Sequence, residues 1–151
     1  MNSLPSKSTL ADTRGNTIIE FALSALMLLL LIFGIFEMSR MLLVYNTVAN
    51  AARAGDRYAI VHGEDSAATI NQIQTVVRNY LSAAPMSASN ATINVCYTGA
   101  TITGGVCSGG SNAKGSTVSV SVTYPYDPFV SYYSPFLSVN ISSTSQGVIT
   151  W

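Results

Sequence analysis

Glu20 is the side chain whose placement demands a chemical reason. It stands near the start of "NTIIEFALSALMLLLLIFGIFEMSR", residues 16–40, a long apolar run. An ionised carboxylate inside hydrocarbon costs about 2.5–3.5 kcal/mol on insertion scales, and less near an interface. On its own it reads as a carboxylate that snorkels to the headgroups, favoured by the positive end of the helix dipole. Other residue types that could do chemistry are sparse. His62 is the single histidine and has Glu64 and Asp65 beside it in "HGEDS". No second histidine is present to complete a zinc set. No serine lies in Gly-x-Ser-x-Gly, and no phosphate-cradling glycine loop follows a strand. Cys96 is a nucleophile only if it is not oxidised, with His62 as its one histidine partner. The expectation is no catalytic residue, no metal and no cofactor.

The elements that must position Glu20 follow from composition. Acidic and basic residues number seven each, and only 9% of the 151 residues are charged, against roughly 25% in an ordinary soluble domain. From Asn79 to Trp151 the only charged side chains are Lys114 and Asp127. No basic face exists to neutralise phosphates, so nucleic acid is excluded as a partner. Ile18 to Phe36 is nineteen residues long and broken in charge only by Glu20. At about 1.5 Å per residue it spans roughly 28 Å, close to the ~30 Å core of a bilayer. A buried core helix of this kind would need a large domain around it. The run is too long for a secretory signal, and no small-x-small cleavage site follows it, so it reads as a retained anchor in contact with lipid.

Orientation is contested by the residues themselves. Lys7 and Arg14 precede the run, whereas Arg40, Arg53 and Arg57 follow it, a distribution that favours a cytoplasmic C-terminal side. The cysteines favour the opposite. Cys96 and Cys107 flank a Gly/Thr loop, "CYTGATITGGVC", and an even pair fits a disulfide in an oxidising compartment; two unrelated thiols are the alternative. The expected arrangement keeps the N-terminus inside and the C-terminal domain periplasmic or extracellular.

Residues 1–15 read as a short polar leader. A 3–4 residue apolar spacing then continues through Met38, Met41, Leu42, Tyr45, Val48, Ala49, Ala52 and Ala59. One helix from Asn16 to Val61 is expected, with Gly34 and Gly55 as the points where it could bend or end. After "VHGEDSAAT", Ser66 is a fair N-cap for a second helix with Ile70, Ile73, Val77, Tyr80 and Leu81 on one face, stopped by Pro85. Beyond it the period changes to two. Ile93, Val95 and Tyr97 share a face, as do Val118, Val120, Val122 and Tyr124. Residues 98–117 read as a loop, "DPFVSYYSPF" as another, and the C-terminal stretch as one or two strands broken at Gly147. One apolar and one Ser/Thr face imply a sheet packed on one side only, against the amphipathic helix surface. The fold class is α+β: a long N-terminal transmembrane helix, a short helix and an antiparallel sheet.

Gly15, five residues before Glu20, gives that carboxylate a second context. Gly-x-x-x-x-Glu at the edge of an N-terminal apolar helix resembles the processing motif of type IV prepilins. "GNTIIEFALSALMLLLLIFGIFEMSRM" followed by "NAARAGDRYAI" is similar to the TadE-like minor pseudopilins of Tad, or Flp-type, pili. The likeness rests on Glu20-Phe21-Ala22 and on Ala51, Ala52, Arg53, Gly55 and Arg57. It implies cleavage by a prepilin peptidase between Gly15 and Asn16. The leader would be residues 1–15, the membrane helix 16–37 and the pilin-like domain 38–151. The new α-amine at Asn16 would meet Glu20 of a neighbouring subunit, making Glu20 and Phe21 assembly residues. The implied partners are other pilins or pseudopilins and the inner-membrane pilus platform. Asn16 departs from the Phe or Met common at that position. Phe21 and the domain of about 100 residues differ from the short major pilins. Arg53 and Arg57, at i and i+4, are either a solvated helix face or a subunit contact gripping carboxylates. The aromatics Tyr124, Tyr126, Phe129, Tyr132, Tyr133 and Phe136 are either core with a loop over it or a binding surface. The rival readings are a pseudopilin of a type II secretion or other type IV pilus machine, and an uncleaved single-pass adhesin or sensor.

Overall fold

A computed structural model describes residues 9–63, 70–83, 86–103, 106–129 and 138–150. It is an α+β arrangement with the element order α1 (Thr9–Val61), α2 (Ile70–Ser82), a 3-10 turn (Ala88–Asn90), β1 (Thr92–Tyr97), β2 (Thr101–Thr103), β3 (Val106–Ser108), β4 (Thr117–Tyr126) and β5 (Val139–Val148). The chain divides into two compact units, Met1–Ser39 and Arg40–Trp151.

In the first unit α1 begins at Thr9, ahead of the start expected at Asn16. "TLADTR" contains no proline or glycine and includes good helix formers, so nothing local delays the helix. Gly34 does not interrupt it. From Ile18 to Phe36, fourteen large apolar side chains stand 52–75% exposed. None of the most apolar window of this helix is buried within the chain. At about 1.5 kcal/mol or more for each such side chain covered, that surface represents on the order of 20 kcal/mol. Soluble proteins rarely expose a contiguous apolar surface of this size. The segment is therefore built to be covered by lipid or by other helices. The core-helix alternative finds no support, because no described residue buries this helix. Ser39 keeps its hydroxyl satisfied by donating to the Ile35 carbonyl at 2.8 Å, one turn back.

In the second unit the rest of α1 and α2 cover one face of a three-stranded antiparallel sheet of order β1-β4-β5. Alternation decides which side chains face the helices. Ile93 and Val95 of β1 and Val118, Val120 and Val122 of β4 are buried. Val95 pairs with Val120 and Ile93 with Val122 across the ladder. From α2 come Ile73, Val77 and Leu81; Tyr80, expected on the same face, is exposed. Tyr80 is three residues from Val77 and seven from Ile73 but about 100° round from Leu81, so it stands at the edge of the buried stripe, about 60° from its centre.

Three expectations need correction. Residues 98–117 hold an antiparallel hairpin, β2 with β3, rather than a loop alone. Its three-residue strands are too short for alternation to reveal them. The C-terminal strand is not broken at Gly147: β5 runs through it, paired with β4 from Thr117↔Val148 to Tyr126↔Val139. A Cβ at Gly147 would collide with Ile60 Cδ1 and lie 3.1 Å from Asp56 Oδ1. The glycine lets α1 press on the strand. Gly55 likewise neither bends nor ends α1; a Cβ there would lie 2.5 Å from Val77 Cγ2 and 3.2 Å from Val120 Cγ1. Both glycines are places where backbone meets its neighbours closely. Pro125 is accommodated in β4 beyond the last residue paired with β1, so only one side of the strand carries a ladder there.

Candidate functional site

Gly15 and Asn16 are exposed and lie within α1, where a Cβ on Gly15 would meet nothing within 4 Å. A glycine inside a helix costs about 1 kcal/mol relative to alanine, so the Gly15–Asn16 bond lies at a weak point of the helix. Glu20 and Phe21 follow on the exposed surface. No hydrogen bond or ion pair reaches Glu20 among the described residues. An unpartnered carboxylate on a helix made of lipid-soluble side chains carries an uncompensated charge.

Farther along α1 the segment "AARAGDRYA" divides into two faces. Ala51, Ala52, Gly55, Asp56 and Ala59 point inward, whereas Arg53 and Arg57 are exposed. Ala51, Gly55 and Ala59 recur every four residues, a stripe of small side chains that lets the helix approach the sheet and α2. That spacing was the sequence signal for close approach. The arginines share the opposite side, one turn apart. Arg53 Nη1 donates to Asn50 Oδ1 at 3.5 Å, and no partner reaches Arg57 among the described residues. Among the described residues, neither guanidinium reaches across to another element of this unit.

Asp56 is the buried member of this segment, only 5% exposed. Ser145 Oγ of β5 donates to its Oδ2 at 2.9 Å, while Oδ1 has no hydrogen-bond partner. Burial pushes the Asp56 carboxyl above the usual carboxylate range, and the bond from Ser145 only partly offsets this. The burial of Asp56 follows from which side of α1 meets β5, a relation between residues 89 apart.

The cysteines are joined: Cys96 of β1 and Cys107 of β3 form a disulfide with Cα atoms 5.3 Å apart. It ties the β2–β3 hairpin to the sheet. The aromatic segment is partly described. Tyr126 is buried, Tyr124 packs against the core and Phe129 is exposed; Tyr132, Tyr133 and Phe136 lie outside the described residues. Arg40 sits over both described rings at this end, 5.3 Å from the Tyr126 centroid and 5.5 Å from that of Phe129. This contact joins residues nearly ninety positions apart and had no sequence signal.

Among the described residues, His62 meets Tyr58 rather than an acidic side chain. Its ring stacks on Tyr58 at 4.1 Å between centroids, and its Nδ1 lies 3.0 Å from the Tyr58 carbonyl. Glu64 and Asp65 lie outside the described residues. Among the described residues no group of three His, Cys, Asp or Glu side chains could hold a metal ion.

Residues 15–57 match the family model described as TadE-like protein, the family that the residues from Gly15 to Arg57 resemble. No curated protein and no solved structure matches the chain. The matched segment begins at Gly15 and ends at Arg57, so it contains Glu20, the apolar surface, Ala51 and Gly55 of the small-residue stripe, and both exposed arginines. A TadE-like segment implies a part in Tad pilus assembly as a structural component, and the apolar helix fits anchoring in a membrane.

Proposed function

We propose that this TadE-like chain is a minor pseudopilin, cut by a prepilin peptidase after Gly15, that helps to assemble a Tad/Flp-type pilus. The observation that carries this reading is an apolar helix with no cover of its own, bearing one unpartnered carboxylate at Glu20 inside the TadE-like match. Cleavage at Gly15–Asn16 creates an α-amine four residues before Glu20. Within one helix that amine belongs to the first turn, where the dipole already favours a carboxylate. Between subunits it is a cation at the depth where each neighbour presents a carboxylate. Each charge then finds its partner only on assembly, which sets the axial register of the helices. The anchor remains in the inner membrane before assembly, N-terminus inside, and the disulfide-bonded domain lies on the periplasmic or outer side. Arg53 and Arg57, exposed on α1, are available to carboxylates of neighbouring pilins or of the membrane platform. The chain acts by packing and not by catalysis.

Glu20→Gln tests this reading. Removing the charge lowers the cost of insertion, by less than the helix-centre value of about 2.5–3.5 kcal/mol because Glu20 lies near the edge of the run, so the variant reaches the membrane at least as well as the parent. The expected result is normal membrane level and leader removal with loss of surface pili. Normal piliation by Glu20→Gln would sink the registration role. An uncleaved, non-piliating adhesin or sensor would show no effect on any fibre.

A further inference from the structure

At the Arg40 end of the second unit the sheet carries apolar side chains that the core does not use. Phe129, just past the end of β4, is 72% exposed. Val139, the first residue of β5, pairs with Tyr126 at the same end of the sheet and is also exposed. Arg40 holds this cluster, its guanidinium lying over the rings of Tyr126 and Phe129. Arg40 is also the fourth residue after Phe36, the last of the uncharged run. Leu42, Leu43 and Tyr45 of α1 continue as exposed apolar side chains beyond it. A guanidinium with a planar fork suits a phosphate, and its stem and stacked ring suit the acyl boundary beneath. Aromatic side chains concentrate where a membrane span leaves the hydrocarbon.

From this we infer that Arg40, Tyr126, Phe129 and Val139 form a phospholipid contact through which the domain seats on the membrane surface. Phe129 and Val139 enter the headgroup–acyl boundary, about 5–10 Å deep as for other interfacial side chains. Arg40 reaches a lipid phosphate while its stacking holds the Phe129 ring. Lipid is the occupant because Arg40 follows Phe36, the end of the uncharged run, by only four residues, so chain connectivity alone keeps Arg40 within reach of the membrane interface. Glu37 and Asp127 flank the cluster in sequence, so the site is directed at phosphate within a phospholipid and not at net anionic surface charge. The inference rests on the apolar segment being a membrane span.

The test uses the full chain reconstituted in phosphatidylcholine/phosphatidylglycerol vesicles. The single tryptophan is removed as Trp151→Phe, and Phe129→Trp supplies the probe. The expected result is blue-shifted emission from position 129, most of which is lost when the acyl chains are brominated near the headgroup. Adding Arg40→Gln should return the emission toward the red and reduce the quenching. Emission characteristic of water in vesicle-bound protein would overturn the inference and leave the membrane span intact. Blue-shifted emission that ignores brominated lipid and depends on the protein-to-lipid ratio would overturn it in favour of a subunit contact. Failure of the chain to partition into vesicles would overturn the membrane span and the inference together.

Discussion

Gly55→Ala is the substitution for which helix propensity and packing predict opposite signs. In a solvent-exposed helix interior the change stabilises by about 0.8–1.0 kcal/mol. Here the added Cβ lies 2.5 Å from Val77 Cγ2 and 3.2 Å from Val120 Cγ1. Neither methyl is the end of a flexible chain: Val77 sits in α2, where valine keeps essentially one rotamer. Overpacking of this kind costs about 1–3 kcal/mol. The net effect is destabilisation of about 1 kcal/mol, which lowers the midpoint by roughly 4–6 °C for a domain of this size. The assay is thermal unfolding of the full chain in detergent, followed by near-ultraviolet circular dichroism of the tyrosine-rich domain. Gly34→Ala, where a Cβ would meet nothing within 4 Å, serves as the comparison and should leave that midpoint unchanged. Val77→Ala removes the offending methyl, so Gly55→Ala should cost less in its background than alone. A midpoint raised by Gly55→Ala, as propensity alone requires, would refute the close approach of α1 to α2 and β4.

Two further substitutions probe the same interface. Gly147→Ala should destabilise by about 1–3 kcal/mol through its collision with Ile60, and Ile60→Val, which removes the Cδ1, should recover part of the loss in denaturant melts. Asp56 sets a pH dependence whose sign follows from its raised pKa. The folded state holds this proton more tightly than the unfolded chain. Its contribution to stability is therefore full below the ordinary value of 3.8 and is lost as pH rises through the higher folded value. Asp56→Asn should flatten that loss, so the difference in midpoint between variant and parent shifts in the variant's favour from acid to neutral pH; parallel curves would contradict it.

What the sequence disclosed depended on how local the deciding interaction is. α2, β1 and β4 could be read from periodicity because each buries a regular stripe. Glu20 stood out because a charge in an apolar run has a known cost wherever the run folds. Gly147 misled because glycine usually weakens a strand, whereas here Ile60 occupies the space a side chain would take. Its counterpart Gly55 sits in a four-residue stripe with Ala51 and Ala59, a pattern that does announce close packing. The β2–β3 hairpin was hidden by strands of three residues in a Gly/Thr background. The Asp56–Ser145 bond and the seat of Arg40 over Tyr126 and Phe129 join distant positions, so no window along the chain contains them.

The measurement that bears most directly on the central claim is the N-terminal residue and intact mass of the protein from its native membrane, with and without the prepilin peptidase. The account predicts a chain starting at Asn16 that appears only when the peptidase is present. A chain that keeps its leader, starting at Met1 or Asn2 in both cases, would contradict it and reduce Glu20 to a carboxylate snorkelling at the edge of the bilayer.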